Sequence, residues 1–466
     1  MSNRPLGCVV SVSGIRGVVG ASLDVDQVMG LAAAYGRRIA RGGVVVVGRD
    51  SRPTGELFLQ AAAVGLRAVG CQVVEIGMVP TPTVPITVLA LGAAGGIQVS
   101  ASHNQVEWNA LKFFSAAGRN VTQGELDAVL AAYREEPSWR TWDGVGSQRS
   151  HADATDLHRD RVLAAVDAQL IRSARLRVVI DSVNGAGSRL APELLSRLGC
   201  EVVPLYTRPD LIFPRDPEPT AANVSLTGAV VAAAKAHIGF VQDPDADRLA
   251  IIDDQGVYIG EEYTLVLCAA ARMAAVRAAG GSDEPLVACT NLSTSRMLED
   301  VAERYGARVV RSKVGEAHVV DSMQAHGAVI GGEGNGGVID PRVVAGRDSH
   351  IGMALVLEYL ARTHSSVARL VAGIPRYAIH KEKIQMDRAA ITAAIPALRN
   401  HALAQGASID AADGLKLSWA DRWVHVRASG TEPASRVIAE APSAPEALHL
   451  AGQVRQALGA AVAGGH

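Results

Sequence analysis

The chain has 466 residues, too many for one hydrophobic core, so three or four domains are expected. Hydrophobic residues make up 48% and charged residues 20%, which excludes disorder, and a net charge of -2 leaves no basic excess for holding nucleic acid. Aromatic residues are only 4%, and small and β-branched side chains in such excess suit parallel strands covered on both faces by helices.

In chain order, the first feature is Ser13-Gly14-Ile15-Arg16-Gly17, a glycine-flanked arginine that alone is no more than a loop arginine. A plan then appears three times: an apolar strand, a polar turn, a helix, and a strand opened by glycine. It runs from Val44–Val47 to Gly70–Val74, from Val178–Ile180 to Gly199–Val203, and from Leu286–Ala288 to Gly306–Val310. The helices between carry apolar residues at helical spacing, as at Leu190, Leu194, Leu195 and Leu198, and the glycine after each is the expected stop. Strand, helix, strand is the βαβ unit, so each copy predicts a parallel or mixed sheet between helices, at the spacing of domains. After each copy a further strand leads into an unusual polar loop: Gly96–Val99 into Ser100–Asn104, Gly239–Gln242 into Asp243–Arg248, and Val329–Gly332 into Glu333–Gly337. Strand C-termini are where α/β sheets place their ligands. The remaining chain departs from this plan: Val424–Val426, Arg427–Pro433, the strand Val437–Ala439 and a helix to about Leu458 predict a smaller α+β domain. Linkers are expected near residues 147–154, 253–260 and 372–376. The scattered cysteines Cys8, Cys71, Cys200, Cys268 and Cys289 form no CxxC pair and read as core residues of a reducing compartment. The start lacks a charged-then-apolar leader pattern, and the apolar stretch from Tyr263 is broken by Arg272. Neither export nor a membrane partner is expected, and the cytoplasm is the expected location.

The acidic loop carries the sharpest chemistry. Asp243, Asp245 and Asp247 alternate directly after an apolar strand. Two carboxylates ~4 Å apart repel by ~4 kcal/mol at an effective dielectric of ~20, so three in one turn want a cation, and hard oxygens select Mg²⁺ or a similar ion. An EF-hand fails on Arg248 and Asp254, which stand where its glycine and glutamate belong; a phosphatase loop with an aspartyl nucleophile is weakened by Asp247 at its fifth position; a solvated acidic turn is the plain alternative. Ser102 by itself is an ordinary turn former. Beside it, His103 and Asn104 can orient an oxyanion, and Lys112 can move a proton or offset charge. Gly332–Gly337 lets backbone approach a ligand, with Glu333 and Asn335 facing sugar hydroxyls, unless it is a glycine turn without function. Arg427-Ala428-Ser429-Gly430-Thr431, with Arg436 close behind, gathers a cation, hydroxyls and N–H donors into a phosphate cradle, the alternative being a capped turn.

Together these segments resemble the α-D-phosphohexomutase superfamily, in family order and over nearly the whole chain. Ser13–Gly17 resembles its TSGIRG segment, Gly48-Arg49-Asp50-Ser51-Arg52 its GxDxR segment, and Ser100–Asn104 its TASHN phosphoserine loop. Asp243–Arg248 resembles its DGDGDR metal loop, Gly332–Gly337 its sugar loop, and Arg427–Pro433 its RxSGTEP segment. The resemblance implies an α/β protein: three similar α/β/α domains with mixed sheets (1–150, 151–254, 255–371) and a smaller C-terminal α+β domain (372–466) around a central active-site cleft. It implies Ser102 as a phosphoserine and Ser102, Asp243, Asp245 and Asp247 as ligands of one Mg²⁺ per chain. Arg16, Lys112 and Arg248, with His103, are expected around the transferring phosphoryl, Lys112 as acid and base. Glu333 and Asn335 are expected to read sugar hydroxyls, and Arg427, Ser429, Gly430, Thr431 and Arg436 to hold the other phosphate. Four departures stand out: Gln105 for the proline after SHN, Asn109-Ala110 for NG, Gly337 for the histidine of many bacterial members, and Lys313-Val314-Gly315-Glu316 in place of a third-domain histidine. With Phe213–Pro219 they resemble the archaeal-type phosphoglucosamine mutase and phosphomannomutase/phosphoglucomutase group. The implied reaction interconverts hexose 6-phosphate and hexose 1-phosphate through a hexose 1,6-bisphosphate. Glucosamine phosphate is the first substrate expected, mannose and glucose phosphates the alternative, and a metal-dependent sugar-phosphate phosphatase the alternative of another class. The expected partners are these sugar phosphates, with no nucleic acid or membrane, in a monomer or homodimer.

Overall fold

The valine-rich runs that open the first two copies become buried interior strands, as β-branched side chains covered on both faces should, while Glu201–Leu205 and Ala307–Ser312 are partly buried edge strands. A computed structural model of the chain describes residues 7–135, 138–280, 285–386, 388–404, 406–428 and 435–463. Its first sheet has seven strands, in the order Val9–Ser11, Gly14–Val18, Trp108–Ser115, Gly95–Val99, Val44–Arg49, Gln72–Met78 and Gln148–Ser150. The second is ordered Leu249–Ile252, Ile238–Gln242, Arg177–Asp181, Glu201–Leu205, and the third Ala307–Ser312, Leu286–Asn291, Ile330–Glu333, Gly337–Ile339.

All three sheets are mixed. In each, the chain leaves a parallel strand, makes one loop, and returns antiparallel beside it. The reversals are the serine loop after Gly95–Val99, the aspartate loop after Ile238–Gln242, and the glycine loop after Ile330–Glu333. The three unusual loops of the sequence are therefore one topological element used three times.

The helices set how the units join. Asp24 with Gln27, and Thr122 with Glu125, form capping boxes that satisfy N-terminal N–H groups, each cap contributing about 1 kcal/mol. Helix Ser349–Thr363 is buried along most of its length and Glu261–Ala278 as far as Met273, and one apolar core joins the second and third sheets across them, including Leu194, Phe240, Leu265 and Leu355. The fourth unit differs. Its antiparallel sheet, ordered Ala378–Ile384, Ser435–Ala441, Trp423–Ala428, Leu415–Ser418, Ser408–Asp410, closes a core of its own with Ile391, Leu398, Leu450 and Leu458. The architecture is the expected one of three α/β/α units with mixed sheets and a C-terminal α+β unit. Among the described residues no helix is long and apolar enough to cross a membrane.

Candidate active site

Ser102 holds a left-handed backbone, φ +51°, which costs a side-chain-bearing residue about 1–2 kcal/mol. Its surroundings fix it there. Ser102 N donates to Ser100 Oγ at 2.9 Å, and Ser100 Oγ donates to Asp50 at 2.7 Å. Arg52, paired with Asp50 and fully buried, donates to the carbonyls of Ser102 at 2.8 Å and Asn104 at 2.5 Å. The result aims Ser102 Oγ at Asp243 Oδ2, 2.7 Å away on the second unit.

The aspartate loop is gripped from both sides. Thr81 N donates to the Asp245 carbonyl at 2.9 Å, Ser349 Oγ to the Ala246 carbonyl at 2.6 Å, and Leu249 N to the Gly336 carbonyl at 2.9 Å. First, second and third units thus meet at this loop. The three carboxylates are buried and offer oxygens within 4.8 Å of one another. Burial, then the charges of Asp245 and Asp247, pushes the Asp243 carboxyl well above the usual range. Burial would raise Asp245 too, but the Lys112 ammonium and hydrogen bonds from Lys112 and Thr81 hold it below. Lys112 Nζ lies 2.5 Å from Asp245 Oδ2 and 2.9 Å from Asp247 Oδ2. Burial alone would lower the Lys112 pKa; those two carboxylates raise it instead. Asp245 Oδ1 and Asp247 Oδ1 are buried with no hydrogen-bond partner among the described residues. Two orphaned carboxylate oxygens beside a third carboxylate and a serine hydroxyl form an oxygen donor set fitted to a hard divalent cation.

Cations and one histidine ring this centre. Arg16 Nη1 donates to Asn104 Oδ1 at 3.3 Å, and Arg248 Nε stands 3.9 Å from Asp247 Oδ1. His103 Nδ1 is 3.5 Å from Ser102 Oγ; burial, then Arg248 and Arg16, push its pKa down to about 2, so the ring is neutral. Glu333 is 5% exposed, its Oε1 accepting from Asn291 Nδ2 at 2.8 Å and Gly315 N at 3.1 Å. Asn335 Oδ1 accepts from Gly337 N at 3.2 Å, shaping its own turn. Arg427 and Arg436 are cross-strand partners of one hairpin, with Arg427 Nε 3.3 Å from Asp413 Oδ2. Asp413 Oδ2 also accepts from Val314 N at 3.1 Å, next to Gly315, so a short chain of contacts links Arg427 to Glu333. The expected cradle residues Ser429, Gly430 and Thr431 lie outside the described residues.

The structure brings Ser102, His103, Lys112, Arg16, Arg248 and the three aspartates together. It also adds Arg347, which sequence reasoning missed. Its Nη2 lies 2.8 Å from Asp247 Oδ2, its Nε 3.0 Å from Glu316 Oε2, and its Nη1 3.5 Å from Glu333 Oε2. The only sequence signal was the Asp348-Ser349 helix start beside it. Asp50 and Arg52, quoted with the GxDxR segment, received no role, although they fix the serine turn.

Comparison with known proteins gives the family. Models of phosphoglucomutase/phosphomannomutase match in order: alpha/beta/alpha domain I over residues 9–139, domain II over 156–256, domain III over 261–377, and the C-terminal domain over 381–457. A phosphoglucomutase/phosphomannomutase of Thermococcus kodakarensis is 36% identical, covering 95% of this chain and 96% of the relative. A probable phosphoglucosamine mutase of Methanopyrus kandleri is 32% identical, covering 96% of each. The crystal structure of a family protein from Burkholderia thailandensis superposes with a TM-score of 0.82 at 27% identity, covering 98% of this chain and 97% of that one. The chain belongs to the phosphoglucomutase/phosphomannomutase family, within the α-D-phosphohexomutases, and is a phosphohexomutase, an isomerase that transfers phosphate within a sugar.

Proposed function

We propose that the chain interconverts hexose 6-phosphates and hexose 1-phosphates through a phosphoserine at Ser102 and a hexose 1,6-bisphosphate. The observation that carries this reading is the strained Ser102 turn, whose Oγ meets Asp243 where three units converge. Asp243, Asp245 and Asp247, with the Ser102 phosphate, would hold one Mg²⁺, on the strength of their orphaned oxygens. When bound, the ion offsets charge on the transferring phosphoryl group.

The protein's own steps follow from its charges. Arg16 and Arg248 draw the phosphoryl oxygens. As the sugar hydroxyl attacks, its O–P bond forms and the Ser102 Oγ–P bond breaks. Lys112, held protonated by its carboxylates, gives a proton to Ser102 Oγ and recovers one from the sugar hydroxyl. The bisphosphate then turns, and its other phosphate returns to Ser102 by the reverse steps. Neutral His103 occupies the space beside Oγ without adding charge. Glu333 and Asn335 read the sugar, and Arg427 and Arg436 hold whichever phosphate is not reacting. The sequence-based expectation of glucosamine phosphate and the alternative of glucose or mannose phosphate differ here in one charge, the 2-ammonium group.

Peptide mass spectrometry of enzyme incubated with glucose 1,6-bisphosphate should place an exchangeable phosphate on Ser102. Ser102→Ala should lose turnover by roughly three orders of magnitude or more. Full turnover by that variant would overturn the reading.

A further inference from the structure

We infer that Arg347 is a specificity-determining residue, whose fixed charge in the sugar pocket favours uncharged hexose phosphates over amino-sugar phosphates; this rests on Glu333 reading the sugar, as proposed above.

Arg347 is 7% exposed, and its guanidinium forks between the sugar loop, through Glu333, and the 313–316 loop, through Glu316. Its stem is locked. A Cβ built on Gly337 would lie 2.3 Å from Arg347 Cδ and 3.0 Å from its Cγ. A side chain at 337 and the Arg347 stem therefore exclude one another, and this chain has chosen the arginine. The sugar loop closes on a buried cation tied to three carboxylates.

That cation changes what the carboxylates can recognise. Glu333 and Glu316 alone would form an acidic pocket, attractive to the 2-ammonium of glucosamine phosphate. With Arg347 paired to both, one of their two negative charges is offset from inside the protein, and Asp247 is paired with Lys112 as well. Arg16 and Arg248 add further positive charge close by: burial, then repulsion from Arg248 and Arg347, lowers the Arg16 pKa. A phosphate gains from this field, a neutral hydroxyl is indifferent to it, and an ammonium group is opposed by it. One like charge ~6 Å away at an effective dielectric of ~40 disfavours a cation by roughly tenfold.

The test compares kcat/KM for glucosamine 6-phosphate and glucose 6-phosphate near neutral pH, with glucose 1,6-bisphosphate as activator. The wild-type chain should favour the glucose substrate. Arg347→Met and Arg347→Gln should slow both reactions, because the tie to Asp247 is lost, yet shift the ratio about tenfold toward the amino sugar. Arg347→Lys, which keeps the charge, should leave the ratio within about twofold of wild type. Losses of folding or metal binding affect both sugars alike and cancel in the ratio. A wild-type preference for glucosamine 6-phosphate, an unchanged ratio in both neutral variants, or an equal shift in Arg347→Lys would each overturn the inference. Glu333→Gln separates the underlying reading: KM values unchanged for both sugars would defeat the sugar-loop assignment itself, whatever Arg347 does.

Discussion

Two lysines lie buried on strands and reach into a neighbouring unit, and their surroundings could hardly differ more. Lys112 extends from the first unit to Asp245 and Asp247 of the second. Lys416, on Leu415–Ser418 of the fourth unit, donates to the Leu292 carbonyl of the third at 2.7 Å, its Nζ 4.2 Å from the Trp423 ring centroid. Burial lowers the pKa of both in principle. Two carboxylates reverse this for Lys112, whereas Lys416 is pushed down to about 6 by burial, then by Arg311, against the weaker pull of Glu299, Glu440 and Asp410. The neighbours of Lys416 follow suit. His425, hydrogen-bonded to Ser293 at 2.8 Å, is pushed down to about 4 by burial, and Glu440, which accepts from Arg296 N at 3.0 Å, is pushed up by it. The first joint is built from charges of two units that complete each other. Around Lys416 the second is built from groups that burial pushes toward their neutral forms, with the partly exposed pair Lys381–Glu261 (2.6 Å) elsewhere along it, and bonds of that kind break and re-form at small cost if the domain opens for the proposed turning intermediate.

The largest effect should come from breaking the first joint. Lys112→Met leaves two buried carboxylate oxygens without their cation, and removing one partner of a buried ionic network costs about 3–5 kcal/mol. Turnover should fall by roughly two orders of magnitude or more. The variant should also lean on metal for its stability: its melting temperature with Mg²⁺ should exceed that in EDTA by a wider margin than the wild type's. Equal margins would mean that Lys112 is not the internal stand-in for a cation.

The same contrast explains what could be read without coordinates. The loops were legible because each concentrates rare residues in a few consecutive positions, and because one topological element repeats, so Ser102, Asp243, Asp245 and Asp247 could be named directly. Partners supplied from afar were not legible. Arg347 meets Asp247 across 100 residues and Thr81 meets Asp245 across 164, and neither carries a local pattern. Lys416 fails for another reason. In Leu415-Lys416-Leu417-Ser418 strict alternation assigns it to a solvent face, but that face is covered by another unit. Gly337 reads as a loop glycine until the Arg347 stem is seen lying against it.

A moderate effect should follow from Arg427→Ala in the fourth unit. An arginine–phosphate contact kept in ground and transition states alike acts on affinity, so KM should rise about tenfold or more with kcat less affected. In the proposed mechanism one cradle serves both orientations of the bisphosphate, so steady-state kinetics should show comparable KM increases for 1-phosphate and 6-phosphate substrates. An effect confined to one direction would deny the shared cradle and leave Arg427 as the partner of Asp413 alone.

The smallest effect, and the sharpest test of the contrast, is Lys416→Met. The folded-state pKa of Lys416 lies below its unfolded value, so between about 6 and the ordinary lysine range the unfolded chain binds the proton that the docked chain refuses. Stability therefore rises with pH across that window, and Lys416 imposes a penalty that grows as pH falls toward about 6 and is constant below it. Methionine fills similar space without the charge and keeps an apolar contact with Trp423, at the loss of one hydrogen bond to Leu292. The variant should melt about 1–2 °C higher than wild type near neutral pH. That advantage should shrink as pH is raised from about 6 to about 9, measured by thermal unfolding of the two proteins in parallel. Curves that stay parallel would mean that Lys416 keeps its proton in the docked state, as Lys112 does in the first joint.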